Sequence, residues 1–223
     1  MILQELLAIT QQNGLDLSDD HVLALDDFAS RLSQWNSKIN LISRNDEAHI
    51  FDRHILHSLT LAMPALCDYD FQNQLALDIG TGGGLPGIPL KIAIRSLDIT
   101  LIDSTQKKIA AVSDMISELG IPGIRAIAAR AEELAKFPAH ARAYDVIVSR
   151  AVAPLEDLIQ WSRGLLKPNG VLFSLKGGDL SEEIERANRL KGIGSITVRP
   201  LDLKGYSEFL HEEKKLVRAD FAG

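Results

Sequence analysis

A glycine-rich turn follows the first apolar segment that has the composition of a buried strand. The segment is Leu75–Ile79, and residues 80–84 read Gly-Thr-Gly-Gly-Gly. Glycines there permit positive φ angles and let the backbone approach a bound nucleotide closely. The same residues also occur in a plain strand-to-helix turn, so the side chains around the turn must decide between the two interpretations.

Two carboxylates in this region favour an adenosine ligand with a cationic end. Asp103 ends the next predicted strand, 19 residues after Gly84, where it can accept hydrogen bonds from ribose hydroxyls. Asp78 lies two residues before Gly80, giving the Asp-x-Gly-x-Gly form typical of methyltransferases. It suits a cationic ligand and would repel a pyrophosphate, and Pro86 removes a backbone N–H that a pyrophosphate would use. The pattern therefore favours S-adenosylmethionine over a nicotinamide dinucleotide, although residues 82–87 also fit GxGxxG.

From residue 74 onward, short apolar segments alternate with helical patterns. This alternation predicts an α/β fold with a mostly parallel sheet and helices on both of its faces. The predicted strands cover 75–79, 98–103, 124–128, 144–149 and 170–175, with two final strands over 196–203 and 214–218 joined by a Gly-Tyr turn; the predicted helices cover 87–95, 106–119 and 154–165.

The first 70 residues have helical periodicity instead. Leu25, Phe28 and Leu32 recur at spacings of three and four after a candidate N-cap at Ser18. A second helix is predicted over residues 46–63. No linker rich in proline, glycine or serine follows, so we expect a helical extension over 1–70 packed on a main domain over 71–223.

Composition limits the class of protein and its surroundings. The chain has 223 residues, 46% hydrophobic, and its single cysteine, Cys67, excludes an internal disulfide. No apolar run approaches the roughly 20 residues that cross a bilayer, so we expect a cytoplasmic protein without membrane contact. The net charge of −6 is concentrated in residues 1–70, where eleven acidic residues face four basic ones. The remainder is nearly balanced and leaves a nucleic-acid partner open.

Motifs that the chain lacks narrow the choice of the atom that accepts the methyl group. Methylation at cytosine C5 needs a cysteine nucleophile, and Cys67 reads as a core thiol. Adenine amines are usually met by an Asn/Asp-Pro-Pro-aromatic motif after the fourth strand, where this chain has Ser149-Arg150-Ala151. Guanine N7 needs no general base, because its lone pair is free to attack an oriented methyl group. A small-molecule or protein acceptor, a dehydrogenase and a non-catalytic adenosyl-binding module remain alternatives.

The motifs together resemble one family, the glucose-inhibited division protein B (RsmG) family. The resemblance runs in order from about residue 35 to 177 and is carried by Trp-Asn-Ser-Lys-Ile-Asn-Leu at 35–41, Arg-His-Ile-Leu-His-Ser-Leu at 53–59, Leu-Asp-Ile-Gly-Thr-Gly-Gly-Gly-Leu-Pro-Gly-Ile-Pro-Leu at 77–90, Leu-Ile-Asp-Ser at 101–104, Arg-Ala-Glu-Glu at 130–133, Ser-Arg-Ala at 149–151 and Leu-Lys-Gly at 175–177. It implies a class I, Rossmann-like methyltransferase fold with a seven-stranded sheet. It also implies methylation of N7 of guanine 527 (rRNA numbering) in 16S rRNA, with the small ribosomal subunit or a precursor as partner.

The resemblance also implies roles for individual residues, and a monomer without a metal. The expected S-adenosylmethionine site consists of Asp78, Gly80, Gly82, Gly84, Leu85, Asp103, Ala131, Glu132 and Arg150. The residues assigned to catalysis are Arg150 and Lys176, and those assigned to RNA are Arg53, Lys107 and Arg130. Two departures stand out: His57 occupies a position that is usually aspartate in the family, and residues 211–216 are unusually charged.

Overall fold

The computed structural model describes residues 1–222, and its N-terminal part is helical. Helix α1 covers Leu3–Gln12 and α2 covers Asp19–Asn36. The hydroxyl of Ser18 accepts a hydrogen bond from the backbone N–H of His21 and so caps α2. Leu25, Phe28 and Leu32 are fully buried, as their spacing predicts.

The second N-terminal helix is not the regular α-helix that the sequence predicts over 46–63. The structure has a 3₁₀ segment over Arg44–His49, a π-helical segment over Ile50–Leu56, one α turn, α3, over His57–Leu59, and a 3₁₀ turn over Thr60–Ala62. The change of pitch carries several polar side chains toward the sheet instead of one continuous apolar stripe. π-Helical turns of this kind are frequent at functional sites.

Seven strands form one sheet in the order β3-β2-β1-β4-β5-β7-β6. Strands β1 to β5 are parallel and β7 runs antiparallel to both of its neighbours. Their bounds are Leu75–Ile79 (β1), Asp98–Asp103 (β2), Ile124–Ala128 (β3), Tyr144–Arg150 (β4), Leu166–Lys176 (β5), Ile193–Pro200 (β6) and Lys215–Phe221 (β7). The predicted α/β fold with a mostly parallel, seven-stranded sheet is confirmed.

The helices between the strands cover both faces of the sheet. They are α4 (Gly87–Ala93), α5 (Gln106–Leu119), α6 (Ala131–Leu134), α7 (Leu155–Ser162), α8 (Ser181–Asn188) and α9 (Glu208–His211). Neighbouring strand residues point to opposite faces: Val146 and Val148 join the core under the N-terminal helices, α4 and α5, whereas Ile147 joins the core under α6, α7 and α8. None of the helices in residues 1–222 is long and apolar enough to span a membrane.

The strand order leaves an opening at the edge of the sheet that the carboxyl ends of the parallel strands form. Strand β1 lies between β2 and β4. From β1 the chain adds β2 and β3 on one side and then crosses to add β4 and β5 on the other, and this reversal opens a crevice at the carboxyl ends of the central strands. Strand β7 runs antiparallel, with Lys215 paired to Lys176. The residues that precede β7 therefore arrive at the same edge.

Candidate functional site

The glycine turn between β1 and α4 has the positive φ angles that its glycines permit. Gly80, Gly82 and Gly84 have φ angles of +71°, +56° and +89°. A Cβ added to Gly80 would lie 2.5 Å from a methyl carbon of Val152, and one added to Gly84 would strike Ile88 of α4. Gly80 therefore faces the open crevice, whereas Gly84 faces the protein.

Asp78 is fully buried beneath this turn. Its Oδ2 accepts hydrogen bonds from the hydroxyl of Thr81 at 2.7 Å and from the backbone N–H of Gly87 at 3.0 Å. Burial raises the pKa of Asp78 to about 7, although both hydrogen bonds oppose that shift. The carboxyl group thus ties the two ends of the glycine turn together and does not line the crevice.

The variant Asp78→Asn tests this buried carboxyl group. Its pKa lies above the ordinary value in the folded state, so its contribution to stability is complete below about pH 4 and is lost as the pH rises through about 7. As the pH rises from 5 to 8, we expect the free energy of unfolding of the parent protein to fall by about 1–3 kcal/mol relative to that of the variant. Urea unfolding across this range measures it, with the exposed Asp16→Asn as control; parallel curves for Asp78→Asn and the parent would contradict the assignment.

Asp103 ends β2 beside the same turn. Its Oδ2 accepts a hydrogen bond from the N–H of Gly82 at 3.2 Å, and its Oδ1 accepts one from the N–H of Thr105 at 2.8 Å. These bonds fix the carboxylate while it stays partly exposed. Asp103 is therefore held at the point where two hollows of the crevice adjoin.

The two hollows differ in size and in chemistry. The smaller, of about 120 Å³, is largely apolar and the larger, of about 770 Å³, is charged. Both are lined by Gly80, Asp103, Ser104 and Val152. The smaller one is completed by Ile79, Ile102, Ala129, Arg130, Ala131, Glu132 and Trp161. Together they suit an elongated ligand with an apolar ring at one end.

Arg150 ends β4 and lines the larger hollow. Its Nη1 donates to the backbone carbonyl of Arg53 at 3.3 Å, which joins β4 to the π-helical segment. Burial lowers the pKa of Arg150 to about 10, and the charges of Asp78 and Asp46 oppose this shift. The guanidinium therefore remains charged at neutral pH in a poorly hydrated place.

The π-helical segment and the 3₁₀ turn before it add further polar groups to this hollow. Arg53 donates from Nη1 to Oδ1 of Asp46 at 2.6 Å, a partner that the sequence does not indicate. His54 and His57 are buried beside them. Burial, and then the charge of Arg150, lower the pKa of His54 to about 4 and that of His57 well below its usual value. Both rings are therefore neutral at physiological pH.

Lys176 does not reach the larger hollow. Its Nζ donates to the backbone carbonyl of Ala153 at 2.7 Å and to Oε1 of Glu183 at 2.7 Å, and its side chain is almost completely buried. The ammonium group thus fastens the segment after Arg150 to α8. Lys176, expected to be catalytic, therefore holds the segment over 151–154 and lines neither hollow.

Two of the three side chains expected to meet RNA, Arg53 and Arg130, line the hollows, and Lys107 does not. Arg130 is exposed beside the smaller hollow, 4.0 Å from Glu132, and Arg53 lines the larger one. Lys107 is exposed but points away from both hollows, whereas its neighbour Lys108 lines the larger. Lys108 lies four residues before the buried Val112 and so shares the inward face of α5.

Comparison with known proteins gives the family. The model of the GidB family, described as rRNA small subunit methyltransferase G, matches residues 22–205. The protein named ribosomal RNA small subunit methyltransferase G of Chlorobaculum tepidum is 41% identical over 217 residues, covering 95% of this chain and 94% of the relative. The protein of that name from Chlorobium luteolum is 39% identical over 222 residues, covering 97% and 89%. The chain belongs to this family.

Solved structures show the same fold at much lower sequence identity. A methyltransferase from Geobacter sulfurreducens matches with a TM-score of 0.55 at 16% identity, covering 93% of each chain. A SAM-dependent O-methyltransferase from Thermotoga maritima matches with a TM-score of 0.55 at 12% identity, covering 86% of this chain and 71% of the other. The fold is therefore the Rossmann-like fold of S-adenosylmethionine-dependent methyltransferases.

His57, where the family pattern is expected to have aspartate, lines the larger hollow. His57 packs against Phe209 of α9 with ring centroids 5.1 Å apart, and its Nε2 has no hydrogen-bond partner within residues 1–222. Glu212 and Lys214, from the charged segment before β7, line the same hollow. His57 and the charged segment before β7 thus meet in the hollow that Arg150 lines.

Several lining residues are missed by sequence reasoning. They are Asp46, His54, Ser104, Lys108, Val152, Glu212 and Lys214. Lys108 has a signal in its helical spacing from Val112, and Ser104 and Val152 lie just after the ends of β2 and β4. Asp46, His54, Glu212 and Lys214 reach the crevice through the path of the helical segment over 44–62 and the placement of β7 beside β5, which local sequence patterns do not show.

Proposed function

We propose that this protein transfers the methyl group of S-adenosylmethionine to N7 of guanine 527 (rRNA numbering) in 16S rRNA. Family membership supports methyl transfer to small-subunit rRNA. The observation that carries the proposal is the pair of hollows that adjoin at Gly80 and Asp103, with Arg150 in the larger one. A nucleoside and a second, planar substrate both have room there.

The residues of the crevice fit the cofactor. Asp103, whose carboxylate is fixed by two backbone N–H groups, would accept hydrogen bonds from the ribose hydroxyls. Ala131 and Glu132, which line the apolar hollow, would flank the adenine. Gly80 and Leu85 leave room for the methionine end, where a side chain on Gly80 would not fit. When bound, S-adenosylmethionine supplies a methyl group on a positively charged sulfur.

Arg150 is proposed to orient the guanine. Its planar guanidinium is suited to an oxygen acceptor such as guanine O6, and it stays charged in the buried hollow. Attack by N7 requires no proton removal, so neutral histidines next to it are compatible with the reaction. Cys67, buried and with its pKa raised to about 11 by burial, does not line the crevice and offers no nucleophile there.

The surroundings fit a folded RNA particle as substrate. Arg53, Lys108, Arg130 and Lys214 surround the crevice on a chain whose net charge is negative. Recognition by shape and a few cations suits RNA that is presented by the small subunit, and turning out an unpaired guanine costs least. We further propose that the protein acts as a cytoplasmic monomer and that residues 1–70 serve as an extension of the main domain.

Methylation of purified subunits tests the proposal. Small subunits from cells that lack this gene product are incubated with the protein and methyl-labelled S-adenosylmethionine, and the modified nucleotide is mapped. We expect one 7-methylguanosine at guanine 527 in subunits and little transfer to short naked oligonucleotides of that sequence. Transfer to another nucleotide, equal transfer to the oligonucleotides, or transfer to small molecules alone would contradict the proposal.

A further inference from the structure

The larger hollow contains polar groups that neither the proposed cofactor site nor the N7 chemistry uses. Asp46, His54 and His57 face Arg150 across it, and Glu212 stands at its rim. Burying polar groups without partners costs about 1–3 kcal/mol each. Unpartnered polar groups next to the reacting base are therefore suited to recognising that base through hydrogen bonds.

Asp46 is held in a fixed orientation with acceptor capacity to spare. Its Oδ1 accepts the 2.6 Å hydrogen bond from Arg53. Its Oδ2 lies 3.7 Å from Nε2 of His54, beyond hydrogen-bond distance, and accepts no hydrogen bond from the described part of the chain. The side chain is 23% exposed, so a ligand in the hollow can reach it.

His54 is a buried and unpartnered neighbour of this carboxylate. Its side chain is 9% exposed, and neither ring nitrogen has a partner within residues 1–222. Because the ring is neutral at physiological pH, it does not cancel the charge of Asp46. A small approach of the ring would let His54 donate to Oδ2 and fix the second oxygen as well.

Guanine and adenine differ at the edge that a carboxylate can read. The Watson–Crick edge of guanine presents the acceptor O6 beside two donors, N1–H and N2–H₂, whereas adenine presents an amino donor beside the acceptor N1. A carboxylate accepts from both guanine donors and repels the lone pair of adenine N1. This edge also lies away from N7, so reading it leaves N7 uncovered.

We propose that Asp46 determines the base specificity by accepting hydrogen bonds from N1–H and N2–H₂ of the target guanine, while Arg150 donates to O6. The inference rests on the proposed function, whose substrate it refines. Asp46 is preferred to Glu212 because its side chain is less exposed, at 23%, and its Oδ2 lies beside the buried ring of His54. Glu212 is 38% exposed, lies 3.9 Å from Arg53 and 3.6 Å from Lys214, and belongs to the rim.

The test compares Asp46→Asn with the matched control Glu212→Gln. Small subunits are reconstituted with 16S rRNA that carries either guanine or inosine, which lacks the N2 amino group, at the target position. The parent protein is expected to prefer guanine in kcat/KM by roughly 10-fold or more, as for a hydrogen bond to a charged group. Asp46→Asn keeps one acceptor oxygen but turns its NH2 group toward the other guanine donor, so it should lower kcat/KM on guanine by roughly 10- to 100-fold and reduce the guanine-to-inosine ratio. Glu212→Gln should keep the ratio of the parent protein.

Two further measurements distinguish a loss of base specificity from a loss of folded protein. Melting temperature and calorimetric binding of S-adenosylmethionine show whether each variant is folded, and Asp46→Ser replaces Asp46→Asn if the latter unfolds. An unchanged ratio in a folded Asp46 variant, or a ratio lost in Glu212→Gln instead, overturns the inference alone. If the parent protein transfers no methyl group to guanine-containing subunits, the proposed function fails and the inference fails with it.

Discussion

Replacing Gly80 with alanine is expected to weaken S-adenosylmethionine binding by roughly 100-fold, a loss of the size that overfilling a packed site produces. The new methyl group would project into the place where the two hollows adjoin, 2.5 Å from a methyl carbon of Val152. Val152 is 39% exposed and can move aside, but then it and the new methyl group narrow the same passage. Calorimetric titration of the purified variant measures the affinity.

Gly192 provides a matched control for this substitution. Its φ angle of +75° is close to the +71° of Gly80, and a Cβ there would have no atom within 4 Å. Both alanine variants therefore carry the backbone strain of a left-handed residue, about 1–2 kcal/mol, and only Gly80→Ala obstructs the crevice. Equal affinities in the two variants would show that Gly80 serves the turn and not the ligand.

Replacing Arg150 with lysine is expected to lower kcat/KM for methyl transfer to small subunits by roughly 100-fold, the usual effect of losing one positioned donor in an active site. Lysine keeps the positive charge near Asp46 and the buried Asp78, so both carboxyl groups keep a cation beside them. It lacks the planar fork that donates to an oxygen acceptor and to the backbone carbonyl of Arg53 together. The loss thus reports on orientation more than on charge.

The control is Arg189→Lys on the exposed face beyond α8, where Arg189 pairs only with Glu185 among the described residues. That variant is expected to keep the activity of the parent protein. A melting temperature is measured for both variants, so that a loss of activity is not a loss of folded protein. Full activity in a folded Arg150→Lys variant would remove Arg150 from the proposed mechanism.

Strands bounded by turn residues are predicted accurately from the sequence. The predicted bounds of β1, β2 and β3 agree with the structure, because a glycine or an aspartate marks at least one end of each mainly apolar segment. Strand β5 begins four residues earlier than predicted. Pro168-Asn169-Gly170 reads as a turn, but Asn169 adopts a φ of +62° inside the strand, and the pairing with β4 shifts register near its start.

Elements without an apolar pattern are missed. Helix α8 has four charged residues among eight and buries only Ala187, so nothing in its sequence separates it from a loop. The turn expected between the last two strands contains α9, whose buried residue, Phe209, contacts His57 across the chain. Such elements owe their structure to tertiary contacts that a local pattern does not contain.

The site also has one part that the sequence predicts and one part that it does not. The glycine turn and Asp103 follow directly from strand ends in the sequence, and the structure places both at one edge of the sheet. The larger hollow does not follow, because it combines Asp46 and His54 with Glu212, which lies far from them in the chain. Their meeting depends on the π-helical segment crossing the carboxyl end of β4, where Arg53 accepts from Arg150.

Titration calorimetry of the pure, full-length protein with S-adenosylmethionine tests the central claim most directly. The account predicts one bound molecule per chain, with no comparable binding of a nicotinamide dinucleotide. Absence of S-adenosylmethionine binding, or preferential binding of the dinucleotide, would contradict it.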